Sequence, residues 1–364
     1  MAPKLTASWL VFLFFAAVTA SAATVARVQV AADQAAFVLV PSQRSFHPWG
    51  FNYDHDESGR LIEDYWQKDW NKVADDFREM KDLGANVVRV HLQLGRFMLN
   101  ARKADPRQLR QLRRLLKLAE TLQIYLDLTG LGSYHKQDVP PWYDALPEER
   151  RWDVQARFWQ AIAAECKRSP AIFCYDLMNE PVVPADDGKR TDWLGPPFAG
   201  KYFVQWIALR RAGRSRAGIA RDWINTLTRA IRSQDTNHLV TVGLVSWSLD
   251  RPGLSSGFDP GQICPGLDFI SVHLYPEALK LEQNIETLRG FAVGKPVLIE
   301  ETFPLRCSSQ EFARFMDQTR SIASGWLGFY WGKTRAECRR SDKITDALTL
   351  QWLEFFQQWR PSGN

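Results

Sequence analysis

The chain has 364 residues, 45% of them hydrophobic, and carries 46 Lys and Arg against 41 Asp and Glu, a net charge of +5. That is ample material for one large core and excludes a disordered or collagen-like chain. The basic excess is dispersed: Arg107, Arg110, Arg113 and Arg114 interleave with Leu109, Leu112, Leu115, Leu116 and Ala119 at helical spacing, a solvated helix face that gives no sign of a nucleic-acid partner.

Residues 1–22 read as a signal peptide: Lys4 supplies the positive end, Trp9 to Val18 the apolar stretch, and Ala20-Ser21-Ala22 the small residues for cleavage. The apolar run is shorter than the roughly 20 residues needed to cross a bilayer. The expectation is an exported protein, secreted or periplasmic, with no membrane attachment once the leader is removed. No Pro/Gly/Ser-rich linker interrupts residues 23–364, so they are read as a single domain. Five cysteines, Cys166, Cys174, Cys264, Cys307 and Cys338, permit at most two disulfides in an exported chain. Cys174, inside an apolar run, is expected as a buried free thiol, and pairings among Cys264, Cys307 and Cys338 stay open.

Residues Phe37 to Phe46 look like a β-hairpin. Eight strand candidates come next, at Trp49 to Asn52, Asn86 to Val90, Ile124 to Leu128, Phe173 to Met178, Leu239 to Gly243, Phe269 to His273, Val297 to Glu301 and Gly325 to Tyr330. Helical patterns lie between them, such as Val73 to Leu83 closed by Gly84, and Ala156 to Lys167 stopped by Ser169-Pro170. Parallel strands need crossover helices covering both faces, so this alternation predicts an α/β fold, a (β/α)8 TIM barrel, with the hairpin plugging its bottom. The Gly-rich turn that would mark an open doubly wound sheet is missing after the first strand. The connection after the fourth strand, Val182 to Arg214, is unusually long. It leaves the C-terminal rim, where barrel sites sit, and is a candidate wall of a cleft.

Two carboxylates stand at strand ends. Glu180 follows the fourth strand in Asn179-Glu180-Pro181, where Pro181 turns the chain at the barrel mouth, and Glu300-Glu301 end the seventh. Such a pair, drawn from two strands, is what glycoside cleavage needs. Strict alternation lets only one of Glu300 and Glu301 point into the mouth. The 15 Trp add flat apolar faces of the kind sugar rings stack on. Tyr134, Trp142, Tyr143, Trp193 and Tyr202 are either stacking subsites or packing under long loops.

Six strings in order, Trp49-Gly50-Phe51-Asn52-Tyr53, Gly84 to Val90, Asn179-Glu180-Pro181, Val272-His273-Leu274-Tyr275, Ile299-Glu300-Glu301 and Gly328-Phe329-Tyr330-Trp331, span nearly the whole mature chain. In them the chain resembles glycoside hydrolase family 5, the cellulase and β-mannanase family with its acid/base on strand four and nucleophile on strand seven. The resemblance implies Glu180 as acid/base and Glu301 as nucleophile. It also implies that Arg89 and Tyr275 hold Glu301, that Asn179 contacts the sugar 2-OH, that Asn52 and His273 line the site, and that Trp331 is its stacking floor. Where mannanase-like members continue after the nucleophile with an aromatic residue and Gly, this chain has Thr302-Phe303-Pro304. A His often found at the end of strand three is replaced by Asp127-Leu128-Thr129-Gly130, with His135 a few residues later as a substrate-binding candidate. His91 is equally a lining residue or a satisfied core histidine.

Asp54-His55-Asp56-Glu57 has ligand-type side chains, but neighbouring residues point apart and no second cluster has metal spacing. No metal and no cofactor is expected. The expected activity is retaining hydrolysis of a β-linked glycan of the β-mannan or β-glucan type, by a monomer whose partner is an oligo- or polysaccharide. The alternatives are a transglycosylase on the same scaffold and a non-catalytic carbohydrate-binding barrel.

Overall fold

The short apolar runs become strands because each is buried on both faces, and the longer amphipathic stretches become the helices that cover them. In this computed structural model, residues 25–56, 58–188, 190–249, 254–329 and 331–360 are described. The leader assigned to residues 1–22 lies outside the described residues, as does Tyr330 of the last strand candidate. The barrel strands are β4 (Trp49–Tyr53), β5 (Val87–Gln93), β6 (Tyr125–Gly132), β7 (Ile172–Asn179), β8 (Leu239–Val245), β9 (Ile270–His273), β10 (Val297–Thr302) and β11 (Ala323–Gly328). Each pairs in parallel with the next, and β11 closes on β4, through Trp326 opposite Trp49. The chain therefore folds as the (β/α)8 barrel its alternation implied.

Ahead of the barrel stands a three-stranded antiparallel sheet, β1 (Arg27–Val30), β2 (Phe37–Val40) and β3 (Arg44–Phe46), one strand more than the expected hairpin. Its apolar face, Val28, Phe37, Leu39 and Phe46, packs with Val87, Phe173, Phe269 and Leu298 from the starts of the barrel strands. Phe37 meets Phe173 and Phe269 edge-on, at 5.2 and 5.1 Å between ring centres. Each fully buried ring of this kind contributes about 1.5–3 kcal/mol, and together they shut the N-terminal end of the barrel. The open end is left to the strand C-termini.

Two helices show how the covering layer is specified. Helix α1 (Trp70–Asp82) buries Val73, Ala74, Phe77 and Met80, one stripe at helical spacing, and ends before Gly84, whose φ of +93° suits glycine. Helix α2 (Pro106–Leu122) starts where Asp105 accepts a hydrogen bond from the Arg107 backbone and Pro106 takes the first turn. It buries Leu112, Leu115, Leu116 and Ala119 and leaves Arg107, Arg110, Arg113 and Arg114 exposed.

The long connection after β7 returns to the mouth: Pro181 and Val182 pair in parallel with Gln205 and Trp206, and Tyr202 donates its backbone N–H to Tyr134 O at 2.9 Å. All five cysteines are free, Cys174 buried as expected and none of Cys264, Cys307 and Cys338 paired. Among the described residues no helix is long and apolar enough to cross a membrane.

Candidate active site

Glu180 leaves β7 with φ +46°, a left-handed conformation that is uncommon for a residue with a side chain. The β7–β8 ladder shifts register just before it, between Thr241 opposite Asp176 and Gly243 opposite Asn179, and the Glu180 backbone N–H is fixed on Gly243 O at 2.9 Å. Pro181 then removes a donor, and the strand ends with the Glu180 carboxyl over the mouth.

A second shift places the partner acid. In the β9–β10 ladder Val272 faces Ile299 and His273 faces Glu301, so Glu300 is an extra residue, a β-bulge. This corrects the expectation that only one of the two glutamates can point inward. Both do, at different depths. Glu301 takes Arg89 Nη1 at 2.6 Å and Tyr275 Oη at 2.7 Å. Glu300, fully buried, lies 3.5 Å from Arg89 Nη2 and 3.3 Å from His273 Nε2, and accepts from Ser271 Oγ at 3.0 Å.

His273 ties the acids together: its Nδ1 is 2.9 Å from Glu180 Oε1 and 3.5 Å from Glu301 Oε2. One carboxyl oxygen of Glu180 and one of Glu301 lie within 4.8 Å of each other. Burial alone would push the imidazole down, but Glu301, Glu180 and Glu300 raise its pKa to about 10 and keep it protonated. Burial raises Glu300, yet Arg89 and His273 bring it down to about 2. Burial, the largest influence, raises Glu301 above its ordinary value, against the opposing pull of His273 and Arg89.

Beneath the pair, Arg89 is wholly buried. Nη2 donates to Asp176 at 2.7 Å and Asn179 Oδ1 at 3.1 Å, and Nη1 also donates to Asn52 Oδ1 at 2.9 Å. Burial and the Glu300 charge raise Asp176 to about 6, and burial with Glu300 and Asp176 pushes Asp127 well above the carboxylate range. A Cβ on Gly243 would come within 2.9 Å of both Arg89 Nη2 and His273 Nε2 and 3.0 Å of Glu300 Oε2. Any side chain at this position would force the charge cluster to shift. Asp127, Asp176 and Glu300 have the spacing of metal ligands, as do Glu180, His273 and Glu301. In both triads protein cations, Arg89 and His273, already sit against the carboxylates.

The model of glycosyl hydrolase family 5, described as Cellulase, matches residues 49–334. The chain belongs to that family. Among curated relatives, mannan endo-1,4-beta-mannosidase 2 of Arabidopsis thaliana is 28% identical over 35% of this chain and 26% of its own length. The chain thus spans about a quarter of that relative. An exo-beta-1,4-mannosidase from Opitutaceae bacterium strain TAV5 shares the barrel at a TM-score of 0.65 and 17% identity, covering 91% of this chain and 61% of that one. A beta-1,4-mannanase from the sea hare Aplysia kurodai does so at 0.62 and 14%, covering 93% and 98%.

Within this family 5 barrel the structure gathers Glu180, Glu301, Arg89, Asn179, His273 and Tyr275 at one centre, and treats three other candidates differently. Asn52 is wholly buried, with Oδ1 on Arg89 and Nδ2 donating to Glu300 O at 2.8 Å, so it braces the centre and does not line it. Trp331 is 2% exposed, packed edge-on against Phe51 at 5.4 Å, which leaves little open face for a stacking floor. His135 stands on the loop after β6 with Nδ1 3.2 Å from Asp138 and has no contact with either catalytic-candidate carboxylate. Of the loop aromatics, Tyr134, Tyr143 and Trp193 are buried, the last two beneath Arg151 at 3.8 and 4.2 Å from ring centre to guanidinium, which is packing. Asp176 and Gly243 were not singled out from sequence, and Glu300 only as the alternative to Glu301. The available signal was an acid inside an apolar strand, as in Tyr175-Asp176-Leu177.

Proposed function

We propose that this family 5 protein is a retaining glycoside hydrolase that cleaves a β-linked glycan of the mannan or glucan type by double displacement. The observation that carries the reading is the approach of Glu180 and Glu301 to within 4.8 Å. Retaining glycosidases place their carboxyls about 5–5.5 Å apart, whereas inverting ones leave about 6.5–9.5 Å for a water. In the first step a Glu301 oxygen attacks the anomeric carbon while the bond to the leaving oxygen breaks and Glu180 gives that oxygen its proton. In the second, Glu180 takes a proton from water, which attacks the same carbon and frees Glu301. Arg89 and Tyr275 aim the Glu301 oxygens. Asn179 uses its Oδ1 on Arg89 and one amide hydrogen on Phe203 O at 3.1 Å, which leaves a second hydrogen for a sugar hydroxyl.

Mannan is favoured within the β-glycans by the activity for which the curated relatives are named, and export follows from the reading of residues 1–22. The test is Glu301→Gln with a panel of β-mannans and β-1,4-glucans. We expect turnover to fall on the order of 10⁴-fold with the fold and glycan binding kept, and the wild-type protein to release the β-anomer first by NMR. Normal activity in E301Q, or initial release of the α-anomer, overturns the assignment.

A further inference from the structure

The catalytic centre occupies one layer of the barrel mouth, and the strands continue past it. On β4 Asn52 points inward to Arg89, Tyr53 points outward to donate to Asp76 of α1 at 2.6 Å, and Asp54 therefore turns inward again, one step higher. On β5 His91 stands in the same relation to Arg89. Asp54 Oδ1 and His91 Nδ1 are 3.9 Å apart, and His91 is hydrogen-bonded through that nitrogen to Tyr134 Oη. Both residues are 2% exposed, yet Asp54 Oδ1 and His91 Nε2 have no hydrogen-bond partner. Buried polar atoms left in that state are unfavourable and call for an explanation.

Over them lies Lys201, carried in by the long connection after β7. Its side chain is 8% exposed and its ammonium is 3.9 Å from Asp54 Oδ2, too far for a hydrogen bond, while His55 Nδ1 holds the same oxygen at 2.5 Å and leaves it room for a second donor. That gap is one a hydroxyl bridges, accepting from the ammonium and donating to the carboxylate at about 2.7–2.9 Å each. The segment holding Lys201 is fixed at the centre: Tyr202 is bonded to Tyr134 O, and Gln205 N–H reaches Glu180 O at 3.4 Å. Glu180 on β7 and Glu301 on β10 divide the mouth, and Asp54, His91 and Lys201 share the half above β4 and β5.

We propose that Lys201 and Asp54 form a subsite for a neutral sugar ring next to the one being cleaved, binding one of its hydroxyls between ammonium and carboxylate. Charge decides for a neutral ring. The Lys201 ammonium is set against the Asp54 carboxylate, on which His55 is also bonded at 2.5 Å, Asp56 is matched by Arg60 at 2.6 Å, and His91 is kept neutral by burial and by Arg89, its value lowered to about 3. No net positive charge remains to select a uronate or sulfate.

This inference rests on the hydrolase reading, and the test separates the two. Wild type and Lys201→Met are compared on β-linked oligosaccharides of the cleaved sugar and their aryl glycosides, lengthened one ring at a time. The ratio of wild-type to K201M kcat/KM is expected to step up by about tenfold at the length that fills the subsite, and Lys201→Gln, which keeps an N–H donor, should recover part of the loss. A ratio that is the same at every length, or never rises, overturns the subsite. Calorimetry of oligosaccharide binding to E301Q with and without K201M reads the same contact without turnover: weaker binding only above that length supports it, and equal binding refutes it. If wild type cleaves no glycan at all, the hydrolase reading falls while the binding measurement still decides Lys201.

Discussion

Glu300→Gln separates the two adjacent glutamates by their physics. The wild-type carboxylate is fully buried, accepts from Ser271, and faces two cations, Arg89 at 3.5 Å and His273 at 3.3 Å. With its value held down to about 2 it is ionised at any ordinary pH. Gln keeps the shape but removes the charge, and its amide group sets N–H against donors on at least one side. Breaking one partner out of a buried ionic cluster costs about 3–5 kcal/mol. Some of that returns as His273, losing one of its three anionic neighbours, deprotonates more readily. We expect the urea midpoint to correspond to a loss of about 3 kcal/mol, and kcat/KM to fall about 10–100-fold, or 1.4–2.7 kcal/mol. The alkaline limb of the pH–rate profile should move to lower pH. Stability within about 0.5 kcal/mol of wild type, the error of a surface change, would refute the charge argument. Complete loss of turnover in E300Q, with azide restoring cleavage of an activated aryl glycoside in Glu300→Gly but not Glu301→Gly, would make Glu300 the nucleophile and refute the assignment.

Stability should fall on the alkaline side. The folded-state value of His273 is raised to about 10 from an unfolded value of about 6.5, so its contribution is complete below 6.5 and is lost as pH climbs through 10. Thermal unfolding between pH 6 and pH 10.5 checks this, and the slope should shrink in His273→Gln. Gly243→Ala forces a methyl to within 3.0 Å of Arg89, His273 and Glu300; we expect about 1–3 kcal/mol of destabilisation and a lower kcat, measured by denaturant unfolding and initial rates, and an unaffected variant would mean the cluster can relax.

The barrel was legible because its signal is local and repeated. Runs such as Val297 to Ile299 are apolar on both faces, and each strand run is followed by an amphipathic helix, so strand number and order follow from period. The position of Glu180 was legible for the same reason, as a strand-end residue at the barrel mouth, whereas Arg89 was implied by the resemblance to family 5. What was illegible concerns depth and burial. Alternation cannot tell that Trp331 is buried, with Phe51 edge-on to it, or that Asn52 spends its amide on Glu300 O and Arg89, because those contacts join segments far apart in sequence. Nor can it place Lys201, which reaches Asp54 only through the path of a long loop.

The β-bulge at Glu300 shows where such reasoning stops and why. With an unbroken two-residue period, Leu298 and Glu300 face the barrel interior and Glu301 faces the helices. Leu298 does lie in the interior with the bottom core, so the period holds up to that point. The ladder then slips by one residue between Val272 and His273, and Glu301 swings inward above Glu300. A slip of this kind leaves an unpaired residue and two like charges side by side. It persists because Arg89 and His273, themselves buried, each sit against both glutamates and offset their repulsion. The irregular strand and the buried cations thus explain each other. An Arg89 or His273 variant that keeps its fold should therefore show a displaced β10 terminus, whereas an unchanged bulge would mean that backbone geometry alone sets it.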